Sequence, residues 1–125
     1  MTTAEFKYLT AINELYDSTA GIMLTAIAAK LNVTKVSVYK AVERLESKGY
    51  IKRDEKNKVV MTEYGYDQLE KYNLLINWLK NHLQHNCKVS AEAAYKDAIS
   101  AVCTFCDESR QGLAEFINTQ KEKKE

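Results

Sequence analysis

The chain has 125 residues, 46% of them hydrophobic and 28% charged, with no proline, four glycines and three cysteines. That length holds one domain or two small lobes, and the balance is that of a folded chain rather than a disordered one. A net charge of +1 excludes a polyanion or polycation, the odd cysteine count excludes a disulfide framework, and no run of roughly eighteen apolar residues is present to cross a bilayer.

The first ten residues lack the basic start and apolar core of a signal peptide, so a cytoplasmic protein with reduced thiols and no membrane partner is expected. Leu9, Ile12 and Tyr16 recur at helical spacing and predict a first helix from about Ala4 to Tyr16, ending near Asp17 to Gly21. A short second helix is expected in "LTAIAAKLN", capped by Thr25 and closed by Asn32, because such side chains satisfy free backbone groups at helix ends. Thr34 then caps a third helix with Val38, Ala41, Val42 and Leu45 as its inward stripe and Gly49 as a left-handed residue at its end. Past Gly49 the period becomes that of strands: "YIKRD" and "KVVMT" flank the polar "EKN" and predict a hairpin that leans on the helices. Thr62 caps a long fourth helix with Gly65 tolerated in its first turn. A fifth helix, from Ala91 to about Cys106, buries Ala94, Ala98, Ala101, Val102 and Phe105. A sixth is centred on Leu113, Phe116 and Ile117, and "KEKKE" frays.

Charge is unevenly spread. Between Lys30 and Lys58 nine Lys/Arg stand against four Asp/Glu, a balance of +5, whereas from Val59 onward eight stand against ten. On the third helix Val36, Lys40 and Ser47, with Arg44 beside them, lie opposite the apolar stripe, and the hairpin tip carries Lys56 and Lys58. Three helices and a hairpin with this charge make a winged helix-turn-helix, in which an α-helix fits the DNA major groove and a flanking wing meets phosphates. Thr34, Lys35, Val36, Ser37, Tyr39 and Lys40 are then expected at base edges or nearby phosphates. Arg44, Lys52, Lys56 and Lys58 position the duplex, since phosphate contacts fix register without reading sequence. The expected fold is mainly α: a winged helix-turn-helix over 1–62, a helical dimerisation region over 63–120 and a charged tail over 121–125.

The run "LTAIAAKLNVTKVSVYKAVERLESKGYIKRDEKNKVVMTEYG", with T-x-x-G opening the fourth helix, resembles the N-terminal domain of DtxR/MntR-type metal-dependent repressors. "YDQLEKYNLLINWLKNHL" and "AEAAYKDAISAVCTF" resemble the long helices through which those proteins dimerise. The winged-helix part is shared with MarR-like repressors, which typically place a dimerisation helix before the winged helix as well as after it; here only one helix precedes. The resemblance implies a homodimeric, sequence-specific regulator of transcription, a repressor, with double-stranded DNA as partner. Pairing two small lobes gains core and site size. Leu69, Leu75, Leu79 and Leu83, with Trp78 beside them, are the expected dimer surface.

Members of that family hold two divalent cations with carboxylates, histidine and sometimes Met or Cys from helices one, four and five. The resemblance places Lys7 and Thr10 at the helix-one positions, Ile76 at the helix-four histidine and, with one added residue, Ile99, Val102 and Cys103 at the helix-five positions. Mn²⁺ and Fe²⁺ need oxygen and nitrogen donors that this set lacks, so DNA binding and dimerisation carry over while metal sensing does not. No cofactor is predicted, and the effector stays open. Cys103 and Cys106, three apart on one helical face, are the remaining candidates for thiol-bound Zn²⁺ or Cu⁺, or for redox sensing. His82, His85 and Cys87 do not join them, because Cys103 falls roughly 14 Å further along the helix hairpin at 1.5 Å per residue. A helical cysteine is more often a small buried hydrophobe. Tyr72, Trp78 and Tyr95 read as core or dimer interface ahead of an effector pocket. No phosphate loop, nucleophile–base pair or carboxylate pair suggests an enzyme. The competing class is a winged-helix protein-interaction module whose basic face is incidental.

Overall fold

The computed structural model describes residues 1–16 and 21–124, with side chains through Glu122; most of the stretch Asp17 to Gly21, near which the first helix was expected to end, lies outside them. The elements are α1 (Thr3–Leu15), α2 (Leu24–Leu31), α3 (Lys35–Ser47), β1 (Ile51–Arg53), β2 (Val59–Met61), α4 (Glu63–Asn86), α5 (Ala91–Thr104) and α6 (Asp107–Lys124). This is the mainly α, winged-helix order expected from the sequence. Two compact units divide the chain, one over residues 3–69 and one from Glu70 onward, so α4 begins in the first and continues in the second.

The first unit is built on apolar stripes that meet. Phe6, Leu9 and Ile12 of α1, Ile27 of α2, Val38, Val42 and Leu45 of α3, and Ile51 and Val59 of the hairpin are fully buried. Contacts run between α1 and α2, α1 and α3, α2 and α3, α3 and β1, and α1 and β2. Each such burial contributes about 1.5–3 kcal/mol, which is why a short hairpin that is marginal alone persists here. Thr34 caps α3 as expected, its Oγ1 accepting the Ser37 N–H at 3.1 Å, a contact worth about 1 kcal/mol. Asn32 (φ 53) and Gly49 (φ 84) take the left-handed conformation at the ends of α2 and α3.

Thr25 does not cap α2. The cap position is Met23, with no side-chain hydrogen bond, and Thr25 sits inside the first turn. Backbone pairing replaces the side chain: Ile22 and Val59 exchange N–H···O bonds of 2.8 Å, which fixes the chain entering α2.

β1 and β2 pair antiparallel, Ile51 opposite Met61 and Arg53 opposite Val59. At the wing turn Asp54 Oδ1 accepts the N–H groups of both Lys56 and Lys58 at 2.9 Å, and Asn57 (φ 64) turns the chain back. The T-x-x-G motif closes the unit. The Thr62 hydroxyl lies 2.6 Å from the Gly49 carbonyl and 3.0 Å from that of Tyr50, and it accepts the Gly65 N–H at 3.0 Å.

In the second unit Tyr72, Leu75, Ile76, Ala94, Ala98, Ile99, Val102 and Ile117 are buried. Lys80 of α4 lies over the Tyr95 ring of α5, and Trp78 of α4 meets Phe116 of α6 edge-on at 6.1 Å. Ser90 caps α5 by accepting the Ala93 N–H. α5 ends at Thr104, short of the expected Cys106, because Phe105 takes an extended conformation (φ −58, ψ 143). Arg110 secures that corner: it bonds the Phe105 carbonyl and the Asp107 carboxylate and lies over the Tyr72 ring. Ala101 and Phe105 are half-buried rather than buried, and α6 continues through Lys124, so "KEKKE" is helical over its described part.

Candidate nucleic-acid interface

The helical period brings Val36, Lys40, Arg44 and Ser47 to one outward side of α3. Thr34, Lys35, Val36, Ser37, Tyr39, Lys40 and Arg44 are all exposed, as are Lys52 and Lys56 on the hairpin, while Lys58 is half-buried. Val36 is 66% exposed and Tyr39 45%. An apolar branched side chain held out to this degree at a helix start fits contact with a thymine methyl. The Thr34 and Ser37 hydroxyls are 2.9 Å apart, tied to each other beside the capped helix start.

The nine cations between residues 30 and 58 divide into two groups. Lys30 pairs with Glu14, Lys48 with the buried Glu5 and Arg53 with Glu46. Among the described residues no ion pair engages Lys35, Lys40, Arg44, Lys52, Lys56 or Lys58; the first five are exposed on α3 and the wing, and Lys58 is half-buried. A concavity of about 680 Å³ beside the hairpin is lined by Lys52, Arg53, Lys56 and Lys58 and by the carboxylates of Asp54 and Glu55, with Gly21 and Val60 completing the wall. With Arg53 paired to Glu46, the lining leaves three lysines against two carboxylates, a mixed wall whose excess is only slightly positive.

Two structural roles were not visible in the sequence. Lys48 Nζ donates to both Glu5 oxygens at 2.8 and 2.9 Å, tying the end of α3 to α1. Arg53 binds Glu46 through Nη2 at 2.8 Å and Nε at 3.4 Å, and Nη1 donates to Asn57 Oδ1 at 3.3 Å. Its guanidinium carbon lies 5.4 Å from the centre of the Tyr39 ring. The hydrogen bond from Arg53 holds the Glu46 carboxyl below its ordinary range, and the same bond raises Arg53. Glu46 on a helix and Arg53 on a strand follow no spacing rule, so only opposite charge hinted at the pair.

Of the expected dimer-surface residues, Leu69 and Leu75 are each 3% exposed and are taken up in the chain's own core, while Trp78, Leu79 and Leu83 are half-buried. Trp78 stacks on the exposed His82 at 5.2 Å, and His82 Nδ1 lies 2.8 Å from Asn86 Nδ2. The expectation that Cys103 and Cys106 share one helical face is corrected: Cys103 lies in α5, whereas Cys106 stands before α6, beyond the break at Phe105. Cys106 is exposed and hydrogen-bonds the Ser109 hydroxyl at 3.4 Å, which lowers its thiol below the ordinary range.

Residues 1–59 match the family model described as iron dependent repressor, N-terminal DNA binding domain. The chain is similar in structure to the hypothetical protein SSo2273 from Sulfolobus solfataricus, with TM-score 0.77, 23% identity and coverage of 95% of this chain and 91% of that one. It is also similar to the manganese regulator SloR (TM-score 0.73, 22% identity, 94% of this chain and 55% of that one). The metal-dependent transcriptional regulator MtsR is matched at TM-score 0.73 and 19% identity, over 94% of this chain and 55% of that one. The chain thus spans about half the length of those two regulators. No curated protein matches. The resemblance to DtxR/MntR-type regulators read from the sequence holds over the winged-helix half, and the structural likeness extends the fold to the helices beyond it.

The metal implied by that family does not fit the residues present. Lys7 is an exposed cation; Ile76, Ile99 and Val102 are buried hydrocarbons; Cys103 is half-buried. Thr10 Oγ1 is buried with no hydrogen-bond partner, yet a neutral hydroxyl is a poor sole donor for a hard dication. No group of three or more His, Cys, Asp or Glu among the described residues is placed to hold a metal ion.

Proposed function

We propose, from the premise that residues 1–59 form a DNA-binding domain of the iron-dependent repressor type, that this chain is a sequence-specific, double-stranded-DNA-binding repressor that acts as a homodimer without Mn²⁺ or Fe²⁺. The observation that carries the reading is the division of the basic segment: Lys30, Lys48 and Arg53 are spent within the fold, while six cations of α3 and the wing, five of them exposed and Lys58 half-buried, make no ion pair among the described residues. Placed in the major groove, α3 sets Val36, Ser37, Tyr39 and Lys40 at base edges, with Lys52, Lys56 and Lys58 along the phosphates. Duplex affinity measured against rising salt tests the reading. Absence of duplex binding at low salt, or an affinity indifferent to salt, overturns it in favour of a protein-interaction module.

Metal independence follows from the donor set. A dication near Thr10 or Ile76 would shed water without regaining ligands. After exhaustive chelation, affinity for a selected duplex is expected to stay within about twofold of its starting value, which is under 0.5 kcal/mol. A tenfold rise on adding Mn²⁺ or Fe²⁺ contradicts this. A rise with Zn²⁺ or Cu⁺ that disappears in Cys103→Ser or Cys106→Ser would instead make the thiols the effector site.

The dimer surface is assigned to Trp78, Leu79 and Leu83, the members of the α4 stripe that keep exposed apolar area. Sedimentation is expected to show a dimer at micromolar concentration. A monomer at all concentrations up to and above that range removes the assignment.

A further inference from the structure

We propose that Arg53 is a clasp that locks the wing onto α3, so that the two DNA-facing elements present one fixed surface, and that it is not itself a phosphate ligand. The inference rests on the DNA reading above and names the residue that positions its parts. Arg53 closes β1 where the wing turn begins, and its side chain is only 18% exposed. All three guanidinium nitrogens and one flat face are engaged. Nη2 and Nε engage the Glu46 carboxylate, Nη1 reaches Asn57 Oδ1 across the turn, and the flat face lies over Tyr39.

The partners define what is held together. Tyr39 and Glu46 are seven residues apart on α3, which places them two turns apart on the same side, so the grip spans roughly 10 Å of the helix. Asn57 is the left-handed residue of the wing turn. One side chain therefore joins the exposed ring of the DNA-facing helix, a carboxylate further along it and the tip of the wing. The planar fork of arginine suits this combination of carboxylate, amide oxygen and aromatic face, and lysine does not reproduce it. The Glu46 carboxylate also offsets the positive charge, leaving less for a phosphate.

The two roles for Arg53 make opposite predictions for Glu46. If Arg53 served phosphate, Glu46→Gln would remove a competing anion near the duplex and tighten binding. As a clasp, Arg53 loses its anchor in Glu46→Gln, and affinity falls although the protein has become more positive. The test uses the full chain, a duplex selected by the wild type and a scrambled duplex, with Arg53→Lys, Glu46→Gln and the double variant. Each single variant is expected to lose about five- to tenfold for the selected duplex, with the salt slope unchanged, and the double variant to lose no more than either. In the DNA-free protein, amide relaxation by NMR is expected to show residues 54–58 less ordered in both single variants. Tighter or equal binding by Glu46→Gln with unchanged wing order overturns the clasp. A wild type that binds no duplex at low salt overturns the DNA reading, while the relaxation comparison still decides whether Arg53 holds the wing.

Discussion

Raising monovalent salt from 50 to 200 mM is expected to weaken duplex binding about 500-fold for each lobe. The magnitude follows from counting cations. In the proposed complex Arg44, Lys52, Lys56, Lys58 and one of Lys35 and Lys40 are expected to reach about five phosphates, and the counterions released would give a slope of about −4.5 in log affinity against log salt. Arg53 and Lys48 stay out of that count because each is bound to a carboxylate. Lys56→Ala or Lys58→Ala is expected to flatten the slope by about 0.9 and to weaken selected and scrambled duplexes alike. Ser37→Ala and Lys40→Ala are expected to narrow the gap between the two duplexes instead, with little change in melting, since both side chains are exposed. Fluorescence anisotropy over a salt series measures all of these, and a flat wild-type response would leave the basic face without a role in DNA binding.

Gly65→Ala is expected to destabilise the winged-helix unit by about 3 kcal/mol and to lower its melting temperature by roughly 10 to 20 °C. A methyl group there would stand 2.1 Å from the Tyr50 carbonyl oxygen and 2.9 Å from Met61 Cγ. The carbonyl cannot retreat cheaply, because it accepts the Thr62 N–H at 3.0 Å and lies 3.0 Å from the Thr62 hydroxyl. Gly112→Ala is the matched control: nothing lies within 4 Å of the added methyl in α6, so it is expected to gain about 0.5–1 kcal/mol of helix propensity. Equal melting of the two variants would show that α4 does not approach Tyr50 this closely.

What the sequence made legible was local. Thr34, Asn32 and Gly49 act within a few residues of themselves, as does Thr62 in accepting the Gly65 N–H, and the apolar period of α3 is a property of one helix, so each was readable without the rest of the fold; the reach of the Thr62 hydroxyl to the Gly49 and Tyr50 carbonyls was not. Thr25 misled because the chain entering α2 is fixed by Val59, far away in sequence. Cys103 and Cys106 were placed on one face because their spacing is helical, whereas the backbone at Phe105 breaks the helix between them. Leu69 and Leu75 lie on one apolar stripe with Leu79 and Leu83 but are buried within the chain itself, and sequence alone does not divide core from exposed apolar surface. Gly65 looked merely tolerated, since its closeness to Tyr50 is a tertiary contact. The outward face of α3 was found from period and charge, but which cations are committed to carboxylates depends on Glu5 and Glu46, whose pairings cross elements.

The wing turn separates shape from content. Its form is set at two positions: Asp54, whose carboxylate gathers the amides of residues 56 and 58, and Asn57, whose left-handed backbone reverses the chain. The bonds made at residue 56 use the main chain, and Glu55 and Lys56 are exposed. Their side chains can therefore be exchanged without rebuilding the loop. For a lineage under selection, or for an engineer, this is a place where the charge of the wing is adjustable by single codons: if the wing meets DNA as proposed, lysine for Glu55 is expected to strengthen the grip and glutamate for Lys56 to loosen it, with the loop's form inherited intact.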